Sequence, residues 1–147
     1  MNDFSSSEFS AEFETLLMER GSGESWFDFG RSPEATERVG KSMAESTRSY
    51  LPDVIASWSG AAEAVLAHIV ARELRAVRTA IEVDLGLLSM ETEIPASSRI
   101  LLVSTFWTRQ RSLASLRTLL EGQGHTVVAA RSLLPSASEQ GTSIPFG

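Results

Sequence analysis

Between residues 104 and 112 the chain reads S-T-F-W-T-R-Q-R-S, directly after the aliphatic run "ILLV" and just before a leucine-spaced segment. Ser104, Thr105, Thr108 and Ser112 offer hydroxyls, Arg109 and Arg111 offer guanidinium groups, and Gln110 offers a carboxamide. Donors and positive charge in one loop are the equipment for holding an oxyanion such as a phosphate group. The loop has no Asp or Glu, so it brings no general base and no charged oxygen ligand. A second short polar stretch, Ser57-Trp58-Ser59-Gly60, also follows an apolar run. Elsewhere the chemistry is sparse. No cysteine is present, and two isolated histidines, His68 and His125, give no metal-ligand spacing and no nucleophile–base pair. Asp53, Glu82 and Asp84 fall at strand boundaries, where acids usually serve structure. No catalytic residue and no metal site is assigned.

Charge is unevenly spread. Residues 1–94 carry 17 acidic and 8 basic side chains, whereas residues 95–147 carry 2 acidic and 5 basic ones. Arg99, Arg109, Arg111, Arg117 and Arg131 are either ordinary surface charge or a local cationic face for an anionic ligand or acidic partner. A net charge of −6 with no basic run argues against nucleic acid as a partner. No apolar stretch approaches the roughly 20 residues needed to cross a bilayer, and the acidic, polar start "MNDFSSSEFSAEFE" is unlike a targeting signal, so a cytoplasmic protein without membrane contact is expected.

Several elements must position these loops. "SAEFETLLMERG" predicts a short amphipathic helix with Phe9, Phe13, Leu16 and Leu17 on one stripe and Gly21 as its stop. "GSGESWFDFG" is a loop or short strand. Ser32-Pro33-Glu34 combines a cap, a first-turn proline and an acid, opening a helix that ends before Pro52. Val54–Ala56 is a buried strand, Ser57–Gly60 a turn, and Ala61 to Leu74 an apolar helix. "AVRTAIEV" is a strand, and Asp84 to Ser98 an irregular connection. Arg99–Val103, then Ser112–Gln123 with Leu113, Leu116, Leu119 and Leu120 inward, then "HTVVAARSLL", form a second strand–helix–strand unit. Alternating strands and helices predict a parallel sheet. Residues 1–135 are expected to form one domain and residues 136–147 a flexible tail. Trp26, Phe27, Phe29, Trp58, Phe106 and Trp107 lie in or beside loops, where they serve either the core or an interface.

In this order of elements, "LLVSTFWTRQRSLASLRTLLEGQGHTVVAARSLL" and "DVIASWSGAAEAVLAHIVAREL" resemble the type I phosphoribosyltransferases, especially the orotate phosphoribosyltransferase-like branch, over roughly residues 12 to 135. The family's motif is a hydrophobic run, two acids, two variable positions and T-T-G-x-T/S. Ser104 and Thr105 fall on the two acids, Thr108 on the first Thr, Arg109 on the second, Gln110 on the Gly and Ser112 on the closing residue. Ser57-Trp58-Ser59-Gly60 matches the diphosphate-contacting loop, and "LLMERGSGESWFDFGR" looks like the N-terminal hood segment. The resemblance implies a three-layer α/β fold with a central, mainly parallel sheet and a small N-terminal helical or hood segment.

What the resemblance implies for function is set by the departures. In working members the two acids hold the ribose hydroxyls of phosphoribosyl diphosphate, and the glycine lets N–H groups close around its 5′-phosphate. Here the acids are replaced by neutral hydroxyls, the glycine by Gln110, and the diphosphate loop carries Trp58. The connection from Asp84 to Ser98 is short for a catalytic lid and holds no Lys or Arg. The expectation is a catalytically inactive, phosphoribosyltransferase-like binding or assembly module with a vestigial phosphate loop. It needs no cofactor, and its partner is a second copy (a homodimer) or another protein chain, with a phosphate-containing small molecule as a further ligand. The alternative is an atypical active phosphoribosyltransferase, for which magnesium would be required.

Overall fold

The structure, a computed structural model, describes residues 12, 14–21 and 23–134. Its centre is a five-stranded sheet in the order β5-β4-β3-β6-β7, built from β3 (Val54–Trp58), β4 (Val77–Asp84), β5 (Leu87–Met90), β6 (Arg99–Ser104) and β7 (Thr126–Ser132). β4, β3, β6 and β7 run parallel, and β5 joins β4 antiparallel at the edge.

Because successive strand residues face opposite sides, each buried strand feeds two cores. Ile55, Leu101 and Val103 point to a layer formed by α1 (Pro33–Thr47) and α2 (Ala61–Leu74), where they meet Val39, Met43, Leu66 and Val70. Val54, Ala56, Ile100 and Leu102 point the other way, onto α3 (Leu113–Gly122) and its Leu113, Leu116 and Leu120. The result is a three-layer α/β fold with a mainly parallel sheet. A small antiparallel pair, β1 (Leu17–Glu19) and β2 (Ser25–Phe27), lies ahead of it.

Local chemistry explains the helix starts. The Ser32 hydroxyl accepts the Ala35 N–H at 3.1 Å, Pro33 follows it, and Glu34 sits in the first turn. Ser112 caps α3 in the same way, accepting the Ser115 N–H at 3.0 Å. Where α1 crosses α2, Gly40 lies so close to Ile69 that an added Cβ would stand 2.4 Å from its Cγ2.

Three expectations are corrected. Leu17–Glu19 does not continue a helix but pairs with Ser25–Phe27, turning at Gly23 (φ 94°), which closes with an N–H bond to the Arg20 carbonyl at 2.9 Å. The pairing seats Leu16 and Phe27 in the core, an outcome that outweighs the local helical stripe. Gly21 is therefore not a helix stop, while Phe9 and Phe13 fall outside the described residues, as does the tail at 136–147. The connection from Asp84 to Ser98 is not wholly irregular, since Leu87–Met90 forms β5 after a tight turn at Leu85 and Gly86, both with positive φ. Finally, β3 runs on through Ser57 and Trp58, which pair with Ala80 and Ile81, so the turn shrinks to Ser59-Gly60.

Candidate functional site

Two loops open side by side at the carboxyl ends of β3 and β6, neighbouring parallel strands of the sheet. This is where open α/β sheets hold ligands. The first loop is Ser59-Gly60, with Gly60 at φ 144°, a conformation that favours glycine, and it leads directly into α2. The second runs from Thr105 to Ser112 and leads into α3.

Within the second loop the hydroxyls are largely committed. Ser104 is buried, and its Oγ donates to the Phe106 carbonyl at 2.8 Å. Thr105 is also buried; its N–H donates to Glu63 Oε1 at 3.0 Å and its hydroxyl to Glu63 Oε2 at 2.5 Å. Thr108 closes a turn on Arg111: its N–H donates to the Arg111 carbonyl at 3.1 Å, and its Oγ1 accepts the Arg111 N–H at 2.9 Å. Ser112 is spent on capping. No residue of this loop has positive φ, Gln110 included, so the backbone does not alternate in the way that forms an anion nest. An anion here would meet the amino end of α3 and the exposed Arg109, Gln110 and Arg111, and neither arginine is in a salt bridge among the described residues.

Trp58 does not project into the diphosphate-loop region. It is 2% exposed and packs beneath both loops with Trp107 and Leu113, and its indole N–H donates to the Ser112 carbonyl at 3.3 Å. Ser57 is likewise buried, its hydroxyl donating to the Trp58 carbonyl at 3.0 Å. Of the four residues matched to a diphosphate loop, only Ser59 and Gly60 reach the surface of the site.

Sequence reasoning missed Glu63. It lies in the first turn of α2, and its carboxylate reaches Thr105, the residue that follows β6. Burial pushes its pKa up, against the opposing pull of the hydrogen bonds from Thr105 and of the Arg111 charge. The position of a Cβ on Gly60 would be 3.4 Å from Arg111 Nη1 and 3.6 Å from Glu63 Cγ, so guanidinium and acid flank the same glycine. The only signal in the sequence was an acid in a helical first turn, which ordinarily reads as helix stabilisation. A magnesium ion wants several oxygen ligands, most of them charged or water. The loop has no acid of its own, and the Glu63 carboxylate that reaches it from α2 is already held by Thr105, beside neutral Ser104 and buried hydroxyls; that set does not fit the ion. Among the described residues no three His, Cys, Asp or Glu side chains gather into a metal-binding group.

The five arginines of the carboxyl-terminal third do not form one face. Arg99 is held by the Tyr50 and Leu51 carbonyls, Arg117 pairs with Glu121 at 3.2 Å, and Arg131 lies over the Tyr50 ring at 5.4 Å and donates to its hydroxyl. Only Arg109 and Arg111 belong to the loop. Most of the aromatic set is core: Phe27, Phe29, Trp58 and Trp107 are buried, Phe106 is half-buried, and Trp26 is exposed with Arg20 stacked 4.8 Å from its ring centre. A separate cleft of about 550 Å³ lies on the far side of α2 from Glu63, between Phe29 and Pro33 at the start of α1, Val65 and His68 of α2, and Arg78 of β4. No helix among the described residues is long and apolar enough to cross a membrane.

No family model matches the chain, and no curated protein matches it in sequence. Solved structures do match. Adenine phosphoribosyltransferase from Saccharomyces cerevisiae, complexed with an imino-altritol bisphosphate and adenine, superposes with a TM-score of 0.74 at 14% identity, covering 92% of this chain and 93% of that one. Adenine phosphoribosyltransferase from Leishmania tarentolae gives 0.71 at 17% identity over 95% and 82%. Orotate phosphoribosyltransferase from Aeropyrum pernix gives 0.65 at 15% identity over 90% and 82%. The chain has the type I phosphoribosyltransferase fold, shared by adenine and orotate enzymes alike.

Proposed function

We propose that this protein is a catalytically inactive phosphoribosyltransferase-like chain that works as a binding or assembly module and keeps a weak site for phosphate, or for a nucleotide's phosphate group, at residues 104–112. One observation carries this reading. Ser104 and Thr105, which fall where the family has its acidic pair, are neutral, buried and satisfied from inside the protein by Phe106 and Glu63. Phosphoribosyl transfer builds positive charge on the sugar, and the acceleration comes from fixed groups aimed at that charge. Inward-facing, neutral, saturated side chains cannot supply it.

What is left is suited to binding. Arg109 and Arg111 stand at the amino end of α3, where positive dipole and side-chain charge both favour an anion. A lone phosphate brings a few charge-assisted hydrogen bonds and no apolar burial, so a dissociation constant of about 1 mM, or roughly 4 kcal/mol, is the appropriate scale. The assembly half of the reading is supported by the β4–β5 turn, whose Leu85 is 94% exposed and left-handed, flanked by exposed Val83 and Leu87. Such a tip serves the monomer poorly, and a second copy of the chain is the partner to test first. Titrating phosphate against the amide NMR signals tests the site. Saturable shifts confined to 108–113 and lost in Arg109→Ala/Arg111→Ala support it; uniform or absent shifts rule it out.

The alternative, an active transferase using phosphoribosyl diphosphate and magnesium, draws on Glu63, whose carboxylate reaches the loop from α2. It would require Glu63 to leave both Thr105 donors and turn outward.

A further inference from the structure

We propose that Glu63 is a built-in competitor of the phosphate loop: its carboxylate occupies an oxyanion seat at Thr105 and shares Arg111, so that an incoming anion binds only against it. The inference rests on the phosphate-site reading above and adds the residue that sets the affinity of that site.

The geometry begins at Gly60. With no side chain at the cap position, α2 receives no side-chain hydrogen bond at its start. Glu63, one turn in, is placed to serve that end, as first-turn acids commonly do. Its carboxylate instead reaches the loop after β6 and takes both donors of Thr105, the N–H on Oε1 at 3.0 Å and the hydroxyl on Oε2 at 2.5 Å, with the N–H also 3.3 Å from Oε2. A main-chain N–H and an adjacent hydroxyl gripping two oxygens of one group is the way a loop takes an external oxyanion. Here the oxyanion is part of the protein.

Arg111 makes the arrangement competitive rather than merely structural. Its Nη1 lies beside Gly60 together with the Glu63 side chain, and its charge acts on the Glu63 carboxyl without a direct ion pair among the described residues. The guanidinium is exposed and belongs to the turn that would receive phosphate. One cation therefore faces two claims, from the internal carboxylate and from any anion at the amino end of α3. Two like charges a few ångströms apart in a partly buried setting oppose each other strongly. Gly60 holds φ 144°, a backbone conformation that other residues rarely adopt, and a Cβ there would only touch the two side chains at ordinary van der Waals distance.

The test is phosphate binding to the full chain, read by amide and side-chain carboxyl NMR at constant ionic strength, for the native protein, Glu63→Gln and Arg111→Ala. Removing the charge while keeping an oxygen for Thr105 should tighten phosphate by about tenfold, and Arg111→Ala should weaken it. In the native protein, saturation with phosphate should move the Glu63 carboxyl carbon and the Thr105 amide along with 108–113, and this readout does not depend on any variant folding. Equal affinity in the native protein and Glu63→Gln, with Arg111→Ala still weakening both, would overturn the competitor role and leave the phosphate site standing. Phosphate shifts at 108–113 with a still Glu63 carboxyl would do the same. Absence of binding in all three proteins would overturn the site itself and the competitor with it, whereas binding seen in Glu63→Gln alone would support both.

Discussion

The indole N–H of Trp58 donates to the carbonyl of Ser112 at 3.3 Å, joining the end of β3 to the residue that caps α3, 54 positions later. Both loops of the candidate site thus rest on one buried aromatic. Trp58→Phe keeps a ring but removes the donor and part of the volume, leaving a void beside Trp107 and Leu113. A loss of about 1–2 kcal/mol in urea denaturation is expected, with faster amide exchange at 108–113. A neutral outcome with unchanged exchange would mean the two loops are held independently.

Gly40 lets α1 pack closely against Ile69 of α2. Since a Cβ there would stand 2.4 Å from Ile69 Cγ2, Gly40→Ala should destabilise by about 1–3 kcal/mol despite alanine's better helix propensity. Ile69→Ala in the same chain should recover part of that loss, and a double-mutant cycle measures the coupling. If the two changes simply add, the helices are free to shift apart.

Leu85 and Gly86 form a two-residue turn with φ of 53° and 79°. That geometry favours Asn-Gly, and a left-handed leucine costs roughly 1 kcal/mol. Leu85→Asn should therefore raise the stability of the monomer by about 0.5–1 kcal/mol and leave the fold unchanged. Sedimentation run alongside gives the second half of the answer. A self-association lost in the variant identifies the tip as an interface, whereas a destabilised monomer would show that Leu85 is packed rather than exposed.

These positions also mark what was legible in the sequence. Ser32-Pro33-Glu34, the bounds of α2, the inward leucines of α3 and the alternation of strands with helices are local patterns, and together they carried the three-layer fold. The β4–β5 turn was unreadable because leucine is a poor residue for it. β1 was hidden because Leu16 and Leu17 suit a helical stripe equally well, and only pairing with Ser25–Phe27 decides between the two. At the site, the loop and its hydroxyls were visible but their direction was not. Whether Ser104 faces a ligand or the Phe106 carbonyl depends on packing, and the grip of Glu63 on Thr105 spans 42 positions with no motif. Trp58 looked like part of a turn because the pairing that extends β3 comes from β4.

Glu63 also makes stability depend on pH. Burial raises its folded pKa above the ordinary glutamate value, against the pull of Thr105 and Arg111, so its carboxylate form is less favoured in the folded chain than in the unfolded one. The stabilisation is fully present below the unfolded pKa and is lost as pH rises through the raised folded value. Relative to Glu63→Gln, the native protein should lose ground as pH rises through and just above the ordinary glutamate range, measured as the difference in urea midpoint across that range. A constant difference would mean that Thr105 and Arg111 compensate the burial completely.

The claim that this phosphoribosyltransferase fold no longer transfers phosphoribosyl groups is tested most directly by diphosphate release. The purified chain, incubated with phosphoribosyl diphosphate, magnesium and either orotate or the common nucleobases, should release no diphosphate above an enzyme-free blank, because the neutral Ser104 and Thr105 are turned inward and Glu63 is held by Thr105. A magnesium-dependent turnover that is abolished in Arg109→Ala/Arg111→Ala would contradict it.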